Sequence, residues 1–318
     1  GSNNFMHSRG EVRSFLQSCA NYWLRTFHFD GLRMDAISRI IYWHGDEKRG
    51  VNGNAVDFIK YMNQGLKDRN PGCFLAAEDS TNFANVTKSV SEGGLGFDYK
   101  WDMGWMHDTL SYFQMSPDDR YNNYHKLTFS MMYYYNEKFL LPLSHDEVVH
   151  GKATILQKMY GDYDIKFPQA RAFYMYMMVH PGKKLNFMGN ELGQFREWDE
   201  KREQDFMLLD FPIHRAFNNY IADLNKNYLS HPAFYGKEYD YDGFKWLDCN
   251  SPDRLMYSIL REDNKSRIFA IFNFSKYEQI DYRIELPDNK GVNILMNSDW
   301  KCYGGNADEN NVFWHIDG

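Results

Sequence analysis

Three acidic residues in this sequence stand where an apolar run stops. In Phe29-Asp30-Gly31-Leu32-Arg33-Met34-Asp35-Ala36, the run ends with Arg33 and Asp35 two residues apart, and the two-residue period of a strand puts both on one face. A cation beside an aspartate lowers its pKa and keeps it ionised, as a nucleophile or an electrostatic stabiliser requires. An isolated R-x-D is also the pattern of an ordinary strand-end salt bridge, so the other strand ends decide. Cys73-Phe74-Leu75-Ala76-Ala77 runs into Glu78-Asp79, and Phe139-Leu140-Leu141-Pro142-Leu143 runs into Ser144-His145-Asp146-Glu147. Three carboxylates, Asp35, Glu78 and Asp146, gathered at strand ends of one sheet would repel one another at a cost unless they served a purpose.

Paired carboxylates are the machinery of glycoside cleavage. At a separation of about 5 to 5.5 Å, one attacks the anomeric carbon while the other protonates the leaving oxygen, giving a covalent glycosyl-enzyme and net retention. Environment assigns the roles. Asp35, beside Arg33, is the nucleophile; Glu78, ending an apolar strand with no cation adjacent in sequence, can hold a proton and act as general acid and then base. Asp146 is the third carboxylate, accepting hydrogen bonds from sugar hydroxyls. Ligation of Mg²⁺ by the same acids is the rival chemistry, and spacing alone leaves both open.

The elements that must position these groups alternate. Val12, Phe15, Leu16, Cys19, Trp23 and Phe27 recur at intervals of three and four, the core-facing stripe of an amphipathic helix. The strand over 31–36 follows, then a helix marked by Val56, Ile59, Met62 and Leu66 that stops at Asn70-Pro71-Gly72. Further strands are expected over 73–77, 96–101, 139–143 and 184–188, and helices over 105–113, 125–136, 167–179 and 213–229. Strands apolar on both faces and separated by helices mean a parallel sheet covered by helices. About five βα units result, each with polar residues just after its strand, where ligands of parallel α/β folds bind. The barrel form collects several strand ends around one point, so the expectation is the last five or so units of a (β/α)₈ TIM barrel.

From Pro232 the pattern changes to short strand-like runs at 239–247, 255–260, 268–274, 279–284, 291–295 and 312–316, separated by Asp, Asn, Gly and Pro. These predict an all-β sandwich, short of its last strand. The expected domains are 1–231, the barrel part, and 232–318, the all-β part.

Composition narrows the partners. A length of 318 residues fits about two domains. Charged residues make up 25% and the net charge is -7, with no basic block of the kind that binds nucleic acid or anionic membrane. The 17% aromatic share suits rings that stack on sugars or bases. Cys19, Cys73, Cys249 and Cys302 are scattered, without a C-x-x-C pair, and read as reduced core thiols of a cytoplasmic protein. No apolar run approaches the roughly 20 residues that cross a bilayer. Gly1-Ser2 has the look of a cloning scar, and the expectation is an excised fragment.

The motifs also resemble a known family. Phe29-Asp30-Gly31-Leu32-Arg33-Met34-Asp35 is similar to the nucleophile motif of the α-amylase superfamily, Ala77-Glu78-Asp79-Ser80 to its acid/base motif, and Leu143-Ser144-His145-Asp146-Glu147 to its third-carboxylate motif. Gly104-Trp105-Met106-His107-Asp108-Thr109, the run from Leu141 to Lys152, the run from Pro181 to Glu191, and Gln194-Phe195-Arg196-Glu197-Trp198 resemble the bacterial glycogen branching enzymes, the 1,4-α-glucan branching enzymes. Met34 and Asp79 are mild departures that leave the carboxylates in place. The first three βα units of the family's barrel and its preceding glucan-binding domain have no counterpart in the sequence.

The resemblance implies a transglycosylase that cuts an α-1,4 linkage, keeps the severed chain on Asp35 and passes it to a glucan 6-hydroxyl as an α-1,6 branch, with no metal or organic cofactor. It implies that Arg33 positions Asp35, that His145 and Asp146 bind hydroxyls of the sugar being cleaved, and that Glu191 and Trp198 are further substrate-binding candidates. For Trp198 a core role is the competing reading, and for Glu191 a helix cap. Structural roles are expected for most of His107, Asp108, Glu147 and His150, and Tyr133-Tyr134-Tyr135 and Met175 to Met178 are read as core. The implied partner is α-glucan, glycogen or amylose, with no nucleic acid and no membrane. The alternatives are an α-glucan hydrolase of the same superfamily and a glucan-binding fragment without catalytic competence. A barrel lacking three units exposes strand edges, so little activity and self-association through those edges are expected of these residues alone.

Overall fold

The structure, a computed structural model, describes residues 4–286 and 291–310. It divides into two compact units, Gly1–Gly104 with Met131–Leu140, and Trp105–Ser130 with Leu141–Gly318.

The first unit holds α1 (Gly10–Thr26), β1 (Gly31–Met34), α2 (Ser38–Ile41), α3 (Gly53–Arg69), β2 (Phe74–Ala77), β3 (Tyr99–Trp101) and the start of β4 (Phe139–Leu143). The pairings are parallel, with Gly31 beside Phe74, Ala76 beside Tyr99 and Lys100 beside Phe139. Gly31 is required by that approach, because a Cβ there would meet the Phe74 carbonyl oxygen at 2.4 Å. Leu75, Ala76 and Ala77 are buried, as a strand covered on both faces must be. Ile37, Ile41, Phe58, Ile59, Met62, Leu66, Val86 and Phe97 fill the core beside them. The connection from β2 to β3 is tied down by Glu137, whose carboxylate accepts the backbone N–H groups of Val86 at 2.8 Å and Thr87 at 2.7 Å.

One helix turns a different face inward from the one its sequence suggests. In α1, Leu16, Ala20 and Leu24 pack on the core that includes α3, whereas Phe15, Trp23 and Phe27 of the expected stripe are exposed. The apolar arc of α1 is broader than one neighbour can cover.

The second unit contains most of α4 (Met103–Gln114), then α5 (Pro117–Arg120), the end of β4, α6 (Ile155–Lys158), α7 (Tyr163–Val179), β5 (Lys183–Asn186) and α8 (Pro212–Ser230). The strands follow one another in the order β1-β2-β3-β4-β5, the parallel half-barrel expected. The helix expected over 125–136 is instead a chain of 3₁₀ turns, Tyr121–Leu127, Phe129–Met132 and Tyr134–Asn136. Thr128 Oγ1 bonds the His125 carbonyl at 3.1 Å and Ser130 bonds the buried His180 ring at 2.8 Å; side chains that bind backbone and neighbours in this way compete with a regular helix.

The all-β portion of the same unit is an antiparallel sheet of β6 (Phe244–Ser251), β7 (Met256–Glu262) and β8 (Arg267–Asn273). The runs expected at 279–284 and 291–295 carry no strand among the described residues, and 312–316 lies outside them. Side chains rather than a backbone ladder hold the first run: Arg254 donates to Gln279 Oε1 and the Ile280 carbonyl, and the Tyr282 hydroxyl reaches Asp248 and Ser258. Glu238 is buried where this sheet meets the start of β5, accepting the Gly182 N–H at 2.7 Å and facing Lys183, Lys184 and Arg261 at 3.1, 4.0 and 3.8 Å. Burial alone would raise its pKa, but the three cations outweigh that and hold it below the usual carboxylate range. The Arg261 guanidinium in turn donates to the carbonyls of Val179, Phe234 and Gly243.

The four cysteines are free thiols, none of them in the core: Cys19 and Cys302 are exposed, and Cys73 and Cys249 are half-buried. Among the described residues no helix is long and apolar enough to cross a membrane.

Lys100, on β3, and Asp79, just after β2, form a buried ion pair at 2.8 Å. Lys100→Met would leave Asp79 charged and uncompensated, and should cost about 3 to 5 kcal/mol in denaturant-unfolding free energy.

Candidate active site

In the first unit the ends of β1 and β2 bring two carboxylates onto one guanidinium nitrogen. Parallel pairing sets Met34 beside Ala77, so the residues that follow, Asp35 and Glu78, leave the sheet side by side. The Glu78 N–H bonds the Met34 carbonyl at 2.9 Å, and the Ile37 N–H bonds the Glu78 carbonyl at 3.0 Å. Between them Ala36 takes a left-handed conformation, φ 43°, which turns the chain sharply after Asp35 and is strained for a residue with a side chain. Arg33 Nη2 donates to Asp35 Oδ1 at 2.6 Å and also to Glu78 Oε2. The guanidinium lies over the Trp101 ring, 4.3 Å from its centroid, a cation–π contact that fixes its plane.

The two acids are not equivalent. The Asp35 side chain is 74% exposed and that of Glu78 19%. Burial raises the Glu78 pKa, a hydrogen bond to Asp35 adds to the rise, and Arg33 opposes it. A carboxyl that favours its proton beside an open carboxylate is the division of labour that acid catalysis next to a nucleophile requires. The sequence placed Arg33, Asp35 and Glu78 together, and the geometry does the same. It missed Trp101, the platform under Arg33, and Asp102, which is buried and accepts the Tyr133 hydroxyl at 2.8 Å. A signal was present, since Tyr99-Lys100-Trp101-Asp102 is another strand running into an acid.

In the second unit His145 and Asp146 follow β4, with His145 Nε2 3.5 Å from Asp146 Oδ1. Ser144 and Glu147 cap the turn reciprocally: the Ser144 hydroxyl accepts the Asp146 N–H, and the Glu147 carboxylate accepts the Ser144 N–H. Glu147 is therefore structural, as read from sequence. Trp198 is half-buried, edge-on to Phe187 at 5.3 Å and to His145 at 6.3 Å. It also lines a cleft of about 430 Å³ with His145, His150, Arg196, Glu197 and Arg202, so its ring serves both a core contact and an open wall. Glu191 caps its own turn, accepting the Gly189 N–H at 2.9 Å.

The loop after Asp146 is held in an unusual shape. His150, Gly151 and Ala153 all have positive φ, 59°, 78° and 68°. Glu197, given no role by sequence although it lies in a quoted motif, accepts the N–H groups of Gly151 at 2.9 Å and Ala153 at 2.6 Å; those two bonds lower its pKa. Trp198 N–H bonds the Val148 carbonyl at 3.0 Å, and Lys152 Nζ the Asp146 carbonyl at 2.8 Å. The Lys158 ammonium sits on the carbonyls of Glu147 and Ala153, and burial pushes it down to about 8. Among the described residues no group of His, Cys, Asp and Glu is arranged to hold a metal ion.

A parallel half-barrel with acids at its strand ends, followed by an antiparallel sheet, has counterparts among known proteins. Residues 246–318 match the family described as the alpha amylase C-terminal all-beta domain. Among solved structures, the chain resembles a Nostoc punctiforme debranching enzyme with a TM-score of 0.61 at 17% identity, over 85% of this chain and 52% of that one. It resembles a cyclomaltodextrinase with a TM-score of 0.55 at 20% identity, over 83% and 40%. At these identities the likeness is one of fold.

In sequence the chain is similar to 1,4-alpha-glucan branching enzymes. It is 41% identical over 312 residues, 98% of its length, to the 1,4-alpha-glucan branching enzyme GlgB of Bacillus cereus (strain G9842), and equally so to that of Bacillus thuringiensis subsp. konkukian (strain 97-27). Each match covers 48% of the relative, so the chain spans about half the length of the curated relatives it matches.

Replacing Glu197 with Ala removes the acceptor for two amides in a loop whose backbone is already strained. Hydrogen exchange at Gly151 and Ala153 should quicken markedly in that variant, with exchange in β1 and β2 unchanged.

Proposed function

We propose that this chain carries the catalytic carboxylates of a retaining 1,4-α-glucan branching enzyme. The observation that carries the reading is the Arg33–Asp35–Glu78 cluster, with an open Asp35 beside a Glu78 whose proton is favoured by burial. Asp35 attacks the anomeric carbon of an α-1,4-linked glucose as the bond to the leaving O4 breaks, and Glu78 gives its proton to that oxygen. The cleaved chain is then a glycosyl ester of Asp35. Glu78, now a carboxylate, takes the proton of an incoming glucan 6-hydroxyl; its oxygen bonds to the anomeric carbon, and the ester bond to Asp35 breaks. One α-1,4 bond is lost, one α-1,6 bond is formed, and both catalytic groups return to their starting states.

Arg33 aims Asp35, its Nη2 serving both carboxylates at once while its plane rests on Trp101. Asp146 and His145 bind hydroxyls of the reacting sugar, and Trp198 offers a ring face to a glucan. Glu191 contributes through its turn, since its carboxylate is engaged by Gly189. In this reading 1–231 is the catalytic barrel part and 232–318 the all-β domain, the partner is α-glucan (glycogen or amylose), and the location is cytoplasmic.

Joined to the half of the Bacillus relative that it does not match, the chain should convert amylose into product with α-1,6 linkages, read by proton NMR. Shorter linear chains alone would instead mark an α-glucan hydrolase, in which water takes the place of the 6-hydroxyl. In the same chimera Asp35→Asn and Glu78→Gln should each lower turnover by at least about a thousandfold, with unfolding midpoints retained.

The pH dependence has a definite sign. Glu78 must be protonated to act as the acid, so activity falls as pH rises through its raised pKa, and Glu78→Gln should erase that alkaline limb. For stability the same raised pKa means that the folded state binds the proton more tightly than the unfolded one. The Glu78 contribution is therefore present below the unfolded-state pKa and lost as pH rises through the folded one. Glu78→Gln should accordingly flatten the decline of stability with pH in that window, measured by thermal melts at several pH values.

A further inference from the structure

Arg33 serves two carboxylates from one nitrogen. Its Nη2 donates to Asp35 Oδ1 at 2.6 Å and to Glu78 Oε2, so the two bonds share a pivot: the guanidinium can tilt about Nη2 with both distances kept, and the N–H directions are then lost. Hydrogen bonds weaken steeply off line, whereas a guanidinium that meets a carboxylate through two parallel bonds is fixed by the pairing itself. Something else must fix the plane of Arg33, and Trp101 is placed to do it. Arg33 Cζ lies 4.3 Å from the centre of the Trp101 ring, a cation–π distance to the aromatic face that binds cations best. The strand under that ring is held in turn. Ala77 pairs with Lys100 and Trp101 with Leu140, which sets β3 between β2 and β4. The Asp102 N–H bonds the Leu140 carbonyl at 2.8 Å, and the Asp102 carboxylate accepts the Tyr133 hydroxyl at 2.8 Å. A Cβ on Gly104 would meet that hydroxyl at 2.5 Å, so the missing side chain leaves Tyr133 its place. All of these residues belong to the first unit.

We propose that Trp101 is a positioning residue for the reaction: its ring keeps Arg33 in the plane from which Nη2 reaches Asp35 and Glu78 together. A plain core role fits less well. Trp101 is 5% exposed, and a core position needs apolar volume, which leucine or methionine supplies, without needing an aromatic face under a cation. Direct contact with sugar fits less well too, because the ring is buried and Arg33 lies over it. The electrostatics point the same way. Burial raises the pKa of Glu78, the hydrogen bond to Asp35 adds to the rise, and Arg33 lowers it; Arg33 and Asp35 are the charged groups that face this carboxyl. A guanidinium that drifts off Glu78 therefore lets its pKa climb further. The consequence for turnover rests on the reading of Asp35 and Glu78 as the catalytic pair, while the hold on Arg33 rests on the contact alone.

Carbon-13 NMR titration of the glutamate carboxyls in the whole chain, with Glu78 assigned through Glu78→Gln, tests the hold without any need for activity. Trp101→Leu keeps apolar volume but no ring face and should raise the Glu78 pKa, whereas Trp101→Phe keeps a face and should titrate close to the unaltered chain. In an Arg33→Ala background Trp101→Leu should add nothing, as two residues acting through one contact require. Should Trp101→Leu fail to fold, Trp101→Met takes its place, its flexible thioether filling an irregular gap. In the chimera with the Bacillus half, Trp101→Leu should lower kcat about tenfold, as loss of a partly desolvated cation–π contact implies. KM should stay unchanged, the alkaline limb should move to higher pH, and Trp101→Phe should recover most of the lost turnover. Identical titration of the Leu and Phe variants, a shift that persists without Arg33, or a raised KM at unchanged kcat would each overturn the proposal. Turnover that survived Asp35→Asn and Glu78→Gln would instead sink the catalytic reading, and the titration would still decide whether the ring holds Arg33.

Discussion

One guanidinium organises the ends of three strands in the first unit. Arg33 is placed by β1 so that its Nη2 serves carboxylates from two strands, and Trp101, from a third, supports it from below. Two carboxylates this close repel unless a cation or a proton intervenes. Arg33 supplies the cation to both, and burial decides which of them keeps the proton. Parallel pairing is what makes this possible: adjacent strands that stop in register release their next residues at the same height, and the first free side chains there are Asp35 and Glu78.

The second unit meets a similar demand with backbone rather than charge. A loop with three left-handed residues in four positions is costly to hold, and Glu197, Lys152 and Lys158 hold it by ligating amides and carbonyls. The loop follows directly on His145 and Asp146, so the same contacts limit how far those two side chains can wander. Capping of the turn by Ser144 and Glu147 adds a further restraint at its other end. The rigidity of the strand end therefore comes from hydrogen bonds to backbone, made by residues that carry no chemistry themselves.

How much of this was readable from the chain depended on the range of the interaction. Strands apolar on both faces and ended by an acid were legible, because burial on two sides leaves no room for alternation; β2 and β4 fall where the runs suggested. Arg33, Asp35 and Glu78 were legible because their chemistry is written into adjacent residues of two such runs. The support from Trp101 and the clamp by Glu197 were not, since each acts across dozens of residues through a geometry that only the fold creates. The 3₁₀ chain at 121–136 escaped because its side chains bind backbone instead of following a helical period. The stripe on α1 misled for the opposite reason: its period was right, but an apolar arc does not say which part of it faces inward.

The burial of Glu238 gives the all-β portion a second meaning. Its carboxylate is the counter-ion for Lys183, Lys184 and Arg261, two of which open β5 while the third lies in β7. Cutting the polypeptide near residue 231, where the sequence changes character, would strip those lysines of their anion and abandon the carbonyl of Val179 that Arg261 now satisfies. A buried ion cluster thus bridges the point where the sequence pattern changes. The residues after it supply, in Glu238, the counter-ion of the strand they follow, so that strand's charge is neutralised from outside the run of βα units.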